Sequence, residues 1–170
     1  MNAAELYLDA MGRADGTLRR ALEDLSLDEL RAQPAGAGSN PIGWLVWHIS
    51  RGRASLASGI TGTDSVWETG GWAARFGMEG EVPRFVPEDV HTFDPKSPET
   101  LMGFFSEAAE KAYGAVRGLS DEDIEREVPT RPGRPPAPIS SRLVLGLFED
   151  IQQIGQVAYL RGLIREQGWF

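Results

Sequence analysis

The chain has 170 residues and a formal net charge of -8, with 17 lysine and arginine residues against 25 aspartate and glutamate residues. This acidic balance argues against nucleic acid and against an anionic membrane surface as partners, because both attract basic proteins. The absence of cysteine excludes disulfides, thiolate metal sites and cysteine nucleophiles, and it suits a cytoplasmic protein.

Two helical segments are predicted at the start of the chain. Apolar residues recur with helical spacing between residues 3 and 25, which predicts an amphipathic helix. The sequence SLDE follows at 26–29, where Ser26 and Glu29 have the spacing of a capping box and predict a short second helix. Acidic residues interrupt the apolar pattern of the N-terminus, so it is not typical of a signal peptide.

A second long helix is predicted to begin after the flexible segment AGAGSN. Asn40 suits an N-cap and Pro41 suits the first helical position, so we expect the helix to start there and to reach about Gly59. Leu45 and Ile49 belong to its apolar side. PIGWLVWHI is the most apolar run of the chain, yet it is much shorter than the roughly 20 residues of a membrane-spanning helix. We therefore expect no membrane span.

The helical period disappears between residues 61 and 97, where glycine and proline are frequent. Disordered linkers lack large aromatic side chains. This segment contains several, namely Trp67, Trp72, Phe76, Phe85 and Phe93. It is therefore predicted to be a long ordered loop packed against the helices, with a short helix near residues 71–76. Loops of this kind often carry function.

The third and fourth long helices are predicted in the second half of the chain. The pair SP at 97–98 repeats the cap-and-proline start and predicts a helix to about residue 118. SDED then begins a short helical piece, and the proline-rich TRPGRPPAPISS is interpreted as a connection and not as a strand. The last helix is expected to begin near Ser140 or Ser141 and to run to about Gln167.

No segment alternates convincingly between apolar and polar residues, so the expected fold class is all-α. Four long helices of this kind are typical of a four-helix bundle. In this chain the long aromatic-containing loop would lie between the second and third main helices. The length suits a single domain that spans residues 1–170.

The last helix has an apolar side and, almost opposite to it, a polar stripe. Helical spacing places on the apolar side Leu143, Leu147, Ile151, Ile154 and Ala158. The polar stripe consists of Glu149, Gln153 and Gln156. It is either a solvated outer face or a wall inside the bundle. The pattern alone favours the outer face slightly, although the absence of lysine from the stripe and its bracketing by Leu145 and Leu160 weaken that interpretation. A buried carboxylate there would need a proton or a cation.

The chain has two histidines, His48 and His91, which limits metal and acid–base chemistry sharply. His48 lies at the edge of the apolar side of the second long helix, one turn after Trp44. It is either a half-buried histidine that bonds a neighbour or a metal ligand, since histidine is the commonest metal ligand in proteins. Partners from another helix would decide between these interpretations.

Two motifs resemble the DinB/YfiT-like superfamily of bacterial four-helix proteins, namely NPIGWLVWHISR at 40–51 and LFEDIQQIGQVAYLRGL at 147–163. The resemblance extends over essentially the whole chain, because LSLDELRAQPAG and SVWETGGWAARFGM also stand where relatives have similar segments. It implies a DinB-like four-helix bundle over residues 1–170 and a homodimer, the state in which family members often occur.

The resemblance also implies a divalent metal site inside the bundle. In the family one ligand is the histidine of the second helix, which matches His48. The other two lie four residues apart on the last helix and match Glu149 and Gln153. Zinc or nickel is the typical metal, and open positions receive water or substrate. Gln153 departs from the pattern, because its amide oxygen is a poorer ligand than imidazole. This His/Glu/Gln set therefore binds metal weakly, binds a harder ion such as manganese or magnesium, or binds none.

Family members include transferases that use a low-molecular-weight thiol. The resemblance thus implies a metal-assisted transferase with a small-molecule substrate and such a thiol as cosubstrate. His48 and Glu149 would be its catalytic residues, and Glu149 would serve as a general base if the metal were lost. The alternative is a metal-free bundle that binds a small ligand or takes part in a stress response.

The substrate is expected to enter under the aromatic loop. Trp44, Trp67 and Trp72 are the candidates for lining its pocket beside His48. For the two loop tryptophans, Trp67 and Trp72, the alternative is that they anchor the loop and seal the end of the bundle. His91 lies in the same loop, outside the positions that match the ligands of the family.

Overall fold

The computed structural model of the protein describes residues 1–79, 86–130 and 133–168. In chain order the elements are α1 (Ala3–Leu22), α2 (Leu27–Arg31), α3 (Ile42–Thr61), α4 (Val66–Thr69), α5 (Trp72–Phe76), α6 (Pro87–Thr92), α7 (Pro98–Val116), a 3-10 turn (Asp123–Glu125), β1 (Glu127–Val128), β2 (Ala137–Pro138) and α8 (Ile139–Arg165). The fold is an all-α bundle of four long helices, α1, α3, α7 and α8. The aromatic-containing loop lies between α3 and α7, and the predicted fold class is confirmed.

Local capping determines where several helices begin. The Ser26 side chain accepts a hydrogen bond from the backbone N–H of Glu29, and the Glu29 carboxylate accepts one from the backbone N–H of Ser26. The predicted capping box is therefore confirmed. Ser97 accepts a hydrogen bond from the backbone N–H of Thr100 and begins α7, with Pro98 in the first turn as predicted.

The prediction for the start of α3 is wrong in one detail. The helix begins at Ile42, Pro41 occupies the N-cap position with extended backbone, and no side chain caps the helix. Proline has no side-chain oxygen that could accept the N–H groups of the first turn, so the helix starts without a side-chain cap. Asn40 thus lies one residue outside the cap position, with an exposed side chain.

α8 packs against both α1 and α3, parallel to the first and antiparallel to the second. Near the end of α8, Nη1 of Arg161 donates to the carbonyl oxygen of Ala21 near the end of α1, at 3.1 Å. Ile139, at the start of α8, shares a hydrophobic cluster with Ile60, at the end of α3. This antiparallel arrangement brings the first half of α3 beside the second half of α8.

The core consists of two clusters of buried side chains. The larger one fills the end of the bundle under the aromatic loop and contains Trp47, Phe104 and Phe105, which are all fully buried. The smaller one lies at the opposite end and contains Tyr7 and Met11 of α1. Burying each large side chain stabilises the fold by roughly 1.5–3 kcal/mol, so the aromatic end contributes much of the packing energy.

The loop between α3 and α7 packs on the bundle through its aromatic side chains. The predicted short helix near residues 71–76 corresponds to α5, and Trp67 and Trp72 are both buried. Trp72 lies against Gly103 of α7, where a Cβ atom would be 2.8 Å from the indole ring. Glycine is therefore needed for this close approach. Phe85, another predicted loop aromatic, lies outside the described residues.

The interpretation of the proline-rich connection as strand-free is wrong. Val128 of β1 pairs with Ala137 of β2 in an antiparallel ladder. The backbone N–H of Ile139 donates to the carbonyl oxygen of Arg126 at 3.0 Å and extends the pairing. Strands of two residues are too short to show alternation in the sequence, and Pro138 has no N–H for a ladder. Neither periodicity nor composition indicated this pair.

The faces of α8 differ in part from the predicted pattern. Leu143 and Ile154 are buried as predicted, but Ile151 is 54% exposed and Leu145 is 52% exposed. Asp150, next to Ile151, is buried instead. The burial of an ionised group needs partners, and those partners come from other helices that the pattern of α8 alone does not reveal.

Membrane insertion was not expected from the sequence. Among the helices that the structure describes, none combines the length and the apolar character that crossing a bilayer requires.

Candidate functional site

His48 and Gln153 meet where α3 packs against α8. Nδ1 of His48 lies 3.0 Å from Oε1 of Gln153, in a half-buried hydrogen bond. Because an amide oxygen only accepts, Nδ1 carries the proton and donates it. A neutral imidazole protonated at Nδ1 has its lone pair at Nε2, the nitrogen that then suits a base or a ligand. The bond therefore sets both the tautomer and the orientation of the His48 ring.

A cavity of about 320 Å³ lies beside this hydrogen bond. It is lined by Asn40, Trp44, Leu45, His48, Val90, Gln152, Gln153 and Gln156. Trp44 and Leu45 are buried and form an apolar wall, whereas Gln152 and Gln156 stand at the exposed rim. Among these described lining residues the polar side-chain groups are the imidazole of His48, the indole N–H of Trp44 and four neutral amides, without a carboxylate, a lysine or an arginine. The volume is near the lower limit for sites that hold small molecules.

Glu149 lies one helical turn before Gln153 on α8 and is half-buried. It does not belong to the residues that line the cavity. Burial and, less strongly, the charge of Glu149 raise the pKa of the neighbouring Asp150 to about 6. The structure thus brings His48 and Gln153 into contact, and Glu149 lies one turn before Gln153 on the same helix.

The donor set does not match a tightly held zinc or nickel ion. These metals prefer imidazole or thiolate ligands, and the three candidate residues supply one imidazole, one carboxylate and one amide. Within residues 1–79, 86–130 and 133–168, no group of three or more histidine, cysteine, aspartate or glutamate side chains is arranged to hold a metal ion. Oε1 of Gln153, the atom that would coordinate the metal, accepts a hydrogen bond from His48 instead.

Comparison with known proteins identifies the family. The sequence profile of the DinB superfamily matches residues 10–157. The chain belongs to the DinB superfamily. A crystal structure of a conserved protein from Enterococcus faecalis has the same fold with a TM-score of 0.85, and the match covers 98% of this chain and 99% of that chain at 19% identity. No curated protein matches the sequence. At this identity the likeness establishes the fold, and the chemistry must be argued from the site.

Of the three tryptophans predicted to line the pocket of this DinB bundle, the structure brings Trp44 alone to the cavity. The Trp67 ring packs against Phe104 at a centroid distance of 5.2 Å, and Nε1–H of Trp72 donates to Glu107 at 2.7 Å. Neither ring lines the described cavity beside His48, so a role of Trp67 and Trp72 in a substrate pocket stays a prediction. Both anchor the loop to the core, because a large indole gains more from burial among aromatic rings than at a solvated rim.

The segment around α6 contributes Val90 to the cavity wall. Asp94 anchors this segment, because its carboxylate accepts hydrogen bonds from Arg31 at 2.6 Å and from the backbone N–H of Lys96 at 3.0 Å. Burial opposes the ionisation of Asp94, but these bonds outweigh it and lower its pKa to about 2. His91 is exposed on α6 and does not belong to the lining residues, so the described cavity contains a single histidine.

A buried ion cluster lies about one helical turn from the cavity. The guanidinium of Arg53 lies 2.5 Å from a carboxylate oxygen of Asp15 on α1 and 3.0 Å from one of Asp150 on α8. Tyr113 of α7 donates its hydroxyl to the other oxygen of Asp15 at 2.6 Å. Since Arg53 belongs to α3, the cluster joins all four long helices.

The protonation states of the cluster follow from burial and pairing. Burial lowers the pKa of Arg53, but the carboxylates of Asp150 and Asp15 outweigh this effect and raise it. Burial raises the pKa of Asp150, although the charge of Arg53 opposes the change. Burial and the hydrogen bond to Asp15 raise the pKa of Tyr113. Arg53 therefore stays charged and Tyr113 stays neutral, and the cluster serves to hold the helices together.

Sequence reasoning missed part of the cavity and the whole ion cluster. The sequence pattern assigns Asn40 to a helix cap and leaves Gln152 outside the polar stripe. For the cluster one signal was present, since Arg53 follows Ile49 by four residues and so lies on the apolar side of α3. A charged residue in that position predicts a buried ion pair, because an unpaired charge would not be tolerated there.

Proposed function

We propose that the cavity binds a small uncharged polar molecule, with His48 as its acid–base group and without a tightly held transition metal. The observation that carries this proposal is the hydrogen bond from Nδ1 of His48 to Oε1 of Gln153, at the wall of an amide-lined cavity. That bond keeps the proton on Nδ1 and the lone pair on Nε2. His48 is thereby suited to accept a proton or a hydrogen bond from the bound molecule.

The lining residues support an uncharged ligand. Each amide offers two donors and an acceptor, so Asn40, Gln152 and Gln156 can pair with hydroxyl, carbonyl or amide groups. A charged ligand would find no opposite charge among the lining residues, and burying an unpaired charge is costly. Trp44 supplies a flat apolar wall for a ring. The net charge of -8 further disfavours an anion.

Nicotinamide and nicotinate form a matched pair of probes, one uncharged and one anionic. We expect nicotinamide to bind with a dissociation constant in the millimolar range, and nicotinate to bind at least about tenfold more weakly because its carboxylate finds no cationic partner. Titrations followed by the side-chain NMR signals of His48 and Gln156 measure both affinities. Gln156→Leu should weaken nicotinamide binding, whereas Gln167→Leu, an exposed change beyond the end of α8, should not. Equal binding of both probes, or signals at His48 that do not move, would contradict the proposal.

The second candidate function is a metal-assisted transferase that uses a low-molecular-weight thiol. Membership in the DinB superfamily and the position of Glu149, one turn before Gln153, favour this candidate. In that enzyme His48, Glu149 and Gln153 would be the residues that hold a zinc, nickel or manganese ion. Both candidates are proposed to be cytoplasmic homodimers, and the acidic, cysteine-free sequence supports the location.

A Gln153→His substitution is expected to raise the affinity for zinc and nickel at least about tenfold, because imidazole replaces a weak amide ligand. Tag-free protein would be loaded with zinc, nickel or manganese and dialysed, and the bound metal would be measured by elemental analysis. The wild type should retain far less than one equivalent, and the gain in Gln153→His should disappear when His48→Ala is added.

Two results would change this picture. If the wild type keeps close to one equivalent of metal and His48→Ala removes it, the metal-assisted transferase replaces the metal-free proposal. If Gln153→His gains no affinity, then His48, Glu149 and Gln153 do not converge on one ion.

A further inference from the structure

The asparagine and glutamine side chains of this chain are concentrated at the cavity beside His48. The whole sequence contains seven of them, namely Asn2, Gln33, Asn40, Gln152, Gln153, Gln156 and Gln167. Four of these seven line the cavity, and they come from segments that lie far apart in the sequence. The packing of the bundle thus brings together most of the amides that the chain possesses. This concentration indicates that the cavity is built for amide hydrogen bonds.

Three of the four amides are available to a bound molecule. In the part of the chain that the structure describes, the side chains of Asn40, Gln152 and Gln156 form no hydrogen bond. The fourth amide is already used, because Gln153 accepts a hydrogen bond from Nδ1 of His48 at 3.0 Å. Each of the three available amides offers an oxygen that accepts and an NH₂ group that donates, side by side and in one plane.

The three amides approach the cavity from two elements. Asn40 lies just before α3, whereas Gln152 and Gln156 lie one turn apart on α8. A ligand that pairs with both sets needs hydrogen-bonding groups on more than one edge. Pairing with an amide also needs a donor and an acceptor next to each other, as on the base edges that asparagine and glutamine recognise through two hydrogen bonds.

Trp44 gives the cavity an aromatic wall of fixed orientation. Its side chain is 3% exposed, and its ring centroid lies 5.0 Å from that of Trp47 and 5.5 Å from that of Phe93. Because these neighbours hold the indole in place, a flat ring can pack against it without ordering a mobile side chain. Leu45 and Val90 add apolar side chains to the same cavity.

We propose that the cavity binds an uncharged planar lactam in which N–H and carbonyl groups alternate around the ring, as in a free pyrimidine base. The ring packs against Trp44, and the amides of Asn40 and Gln156 pair with different edges of the ring. This inference names the ligand class of the proposed function and rests on that function.

Other uncharged molecules fit the cavity less well. A hydrocarbon ring leaves the amides without partners, which costs free energy when a ligand excludes water from them. A sugar has hydroxyl groups on many sides, but its hydrogen-bonding groups do not lie in the plane of a flat ring and so do not match the planar amides. A lactam combines a flat apolar face with donor and acceptor groups along its edge.

Volume and charge limit the ligand to the ring itself. The cavity has a volume of about 320 Å³, near the lower limit for small-molecule sites. A nucleotide would add a phosphate group, and the described lining residues include no lysine or arginine to pair with it. The net charge of -8 also repels phosphate. The cavity therefore suits a free base and not a nucleotide.

Uracil and 1,3-dimethyluracil are matched probes, because they share the ring and both carbonyl groups and differ only in the two N–H groups. We expect uracil to bind at least about tenfold more tightly, since methylation leaves amide oxygens of the cavity without a donor. NMR titration measures both affinities, and uracil should shift the side-chain signals of Asn40, Gln152 and Gln156. Equal affinities for the two probes, or amide signals that do not move, overturn the proposal.

Two leucine variants test the amides through selectivity. Asn40→Leu and Gln156→Leu should each reduce the ratio of uracil to 1,3-dimethyluracil affinity several-fold, because each removes an amide that recognises an N–H edge. Gln167→Leu is the control, since this exposed glutamine lies beyond the end of α8, and it should keep the ratio of the wild type. The ratio is measured on folded protein and does not report stability. A ratio that neither Asn40→Leu nor Gln156→Leu changes contradicts the proposal.

Nicotinamide separates a failure of this inference from a failure of the proposed function. If nicotinamide binds but uracil binds no more tightly than 1,3-dimethyluracil, the lactam is wrong and the cavity still binds an uncharged polar molecule. The same conclusion follows if methyl glucoside binds more tightly than uracil. If none of these molecules moves the signals of His48, both the inference and the proposed function fail.

Discussion

Replacing Arg53 with methionine is expected to lower the free energy of unfolding by about 3–5 kcal/mol, because removing one partner of a buried ion pair leaves the opposite charge uncompensated. Arg53 is 2% exposed and faces the carboxylates of both Asp15 and Asp150, which are themselves buried. Methionine has a similar volume, so the loss reports charge and hydrogen bonding more than packing. Urea unfolding, followed by circular dichroism, measures the change.

The size of this loss should depend on pH. Burial already raises the pKa of Asp150 from 3.8 to about 6 in the presence of Arg53, and the pKa rises further when the guanidinium is removed. A carboxyl whose pKa is higher in the folded state contributes stability below its unfolded pKa and loses it as the pH rises through the folded pKa. The loss caused by Arg53→Met should therefore be larger at about pH 8 than at about pH 5.

Arg51→Met is the matched control for the Arg53 experiment. Arg51 belongs to the same helix and is half-buried, but its guanidinium lies over the Trp67 ring at 4.6 Å and not between two carboxylates. Arg51→Met should lower the free energy of unfolding by about 0.5–1 kcal/mol, the usual contribution of a cation–π contact. If Arg53→Met costs no more than Arg51→Met, or if its cost does not change with pH, the four helices do not depend on the ion cluster.

The fold could be predicted because its signals are local. The period of α1, the capping box at Ser26 and the start of α7 at Ser97 each depend on residues within one or two turns. The strand pair escaped prediction because it depends on contacts between residues on either side of a connection, with too few residues to form a pattern.

The site could be predicted only in part, for reasons that lie in α8. Apolar residues surround this helix almost completely, so periodicity assigned Ile151 to the inside and left Asp150 unnoticed. The approach of His48 to Gln153 was anticipated from the family resemblance and not from the pattern, because the two residues are far apart in the sequence. Cavity residues such as Asn40 and Val90 come from segments whose positions depend on the packing of the whole bundle.

Trp67→Ala is expected to lower the free energy of unfolding by about 3–5 kcal/mol, the usual cost of removing a large aromatic side chain from a packed core. Trp67 is 2% exposed, and its ring lies 5.2 Å from Phe104 and 5.8 Å from Phe76. Its removal leaves a cavity that rigid neighbours fill poorly and frees the loop from α7. Urea unfolding measures the loss, and Trp67→Phe should lose less because one ring remains in the cluster.

The same variant separates the two roles considered for Trp67. A residue that anchors the loop should cost stability when truncated, while nicotinamide binding in the remaining folded protein stays nearly unchanged, because Trp67 does not line the cavity. Truncation of a residue of the binding site should instead weaken nicotinamide binding and leave the free energy of unfolding nearly unchanged. A Trp67→Ala protein of normal stability that no longer binds nicotinamide would return Trp67 to the pocket, and the cavity beside His48 would then have to extend beneath the loop.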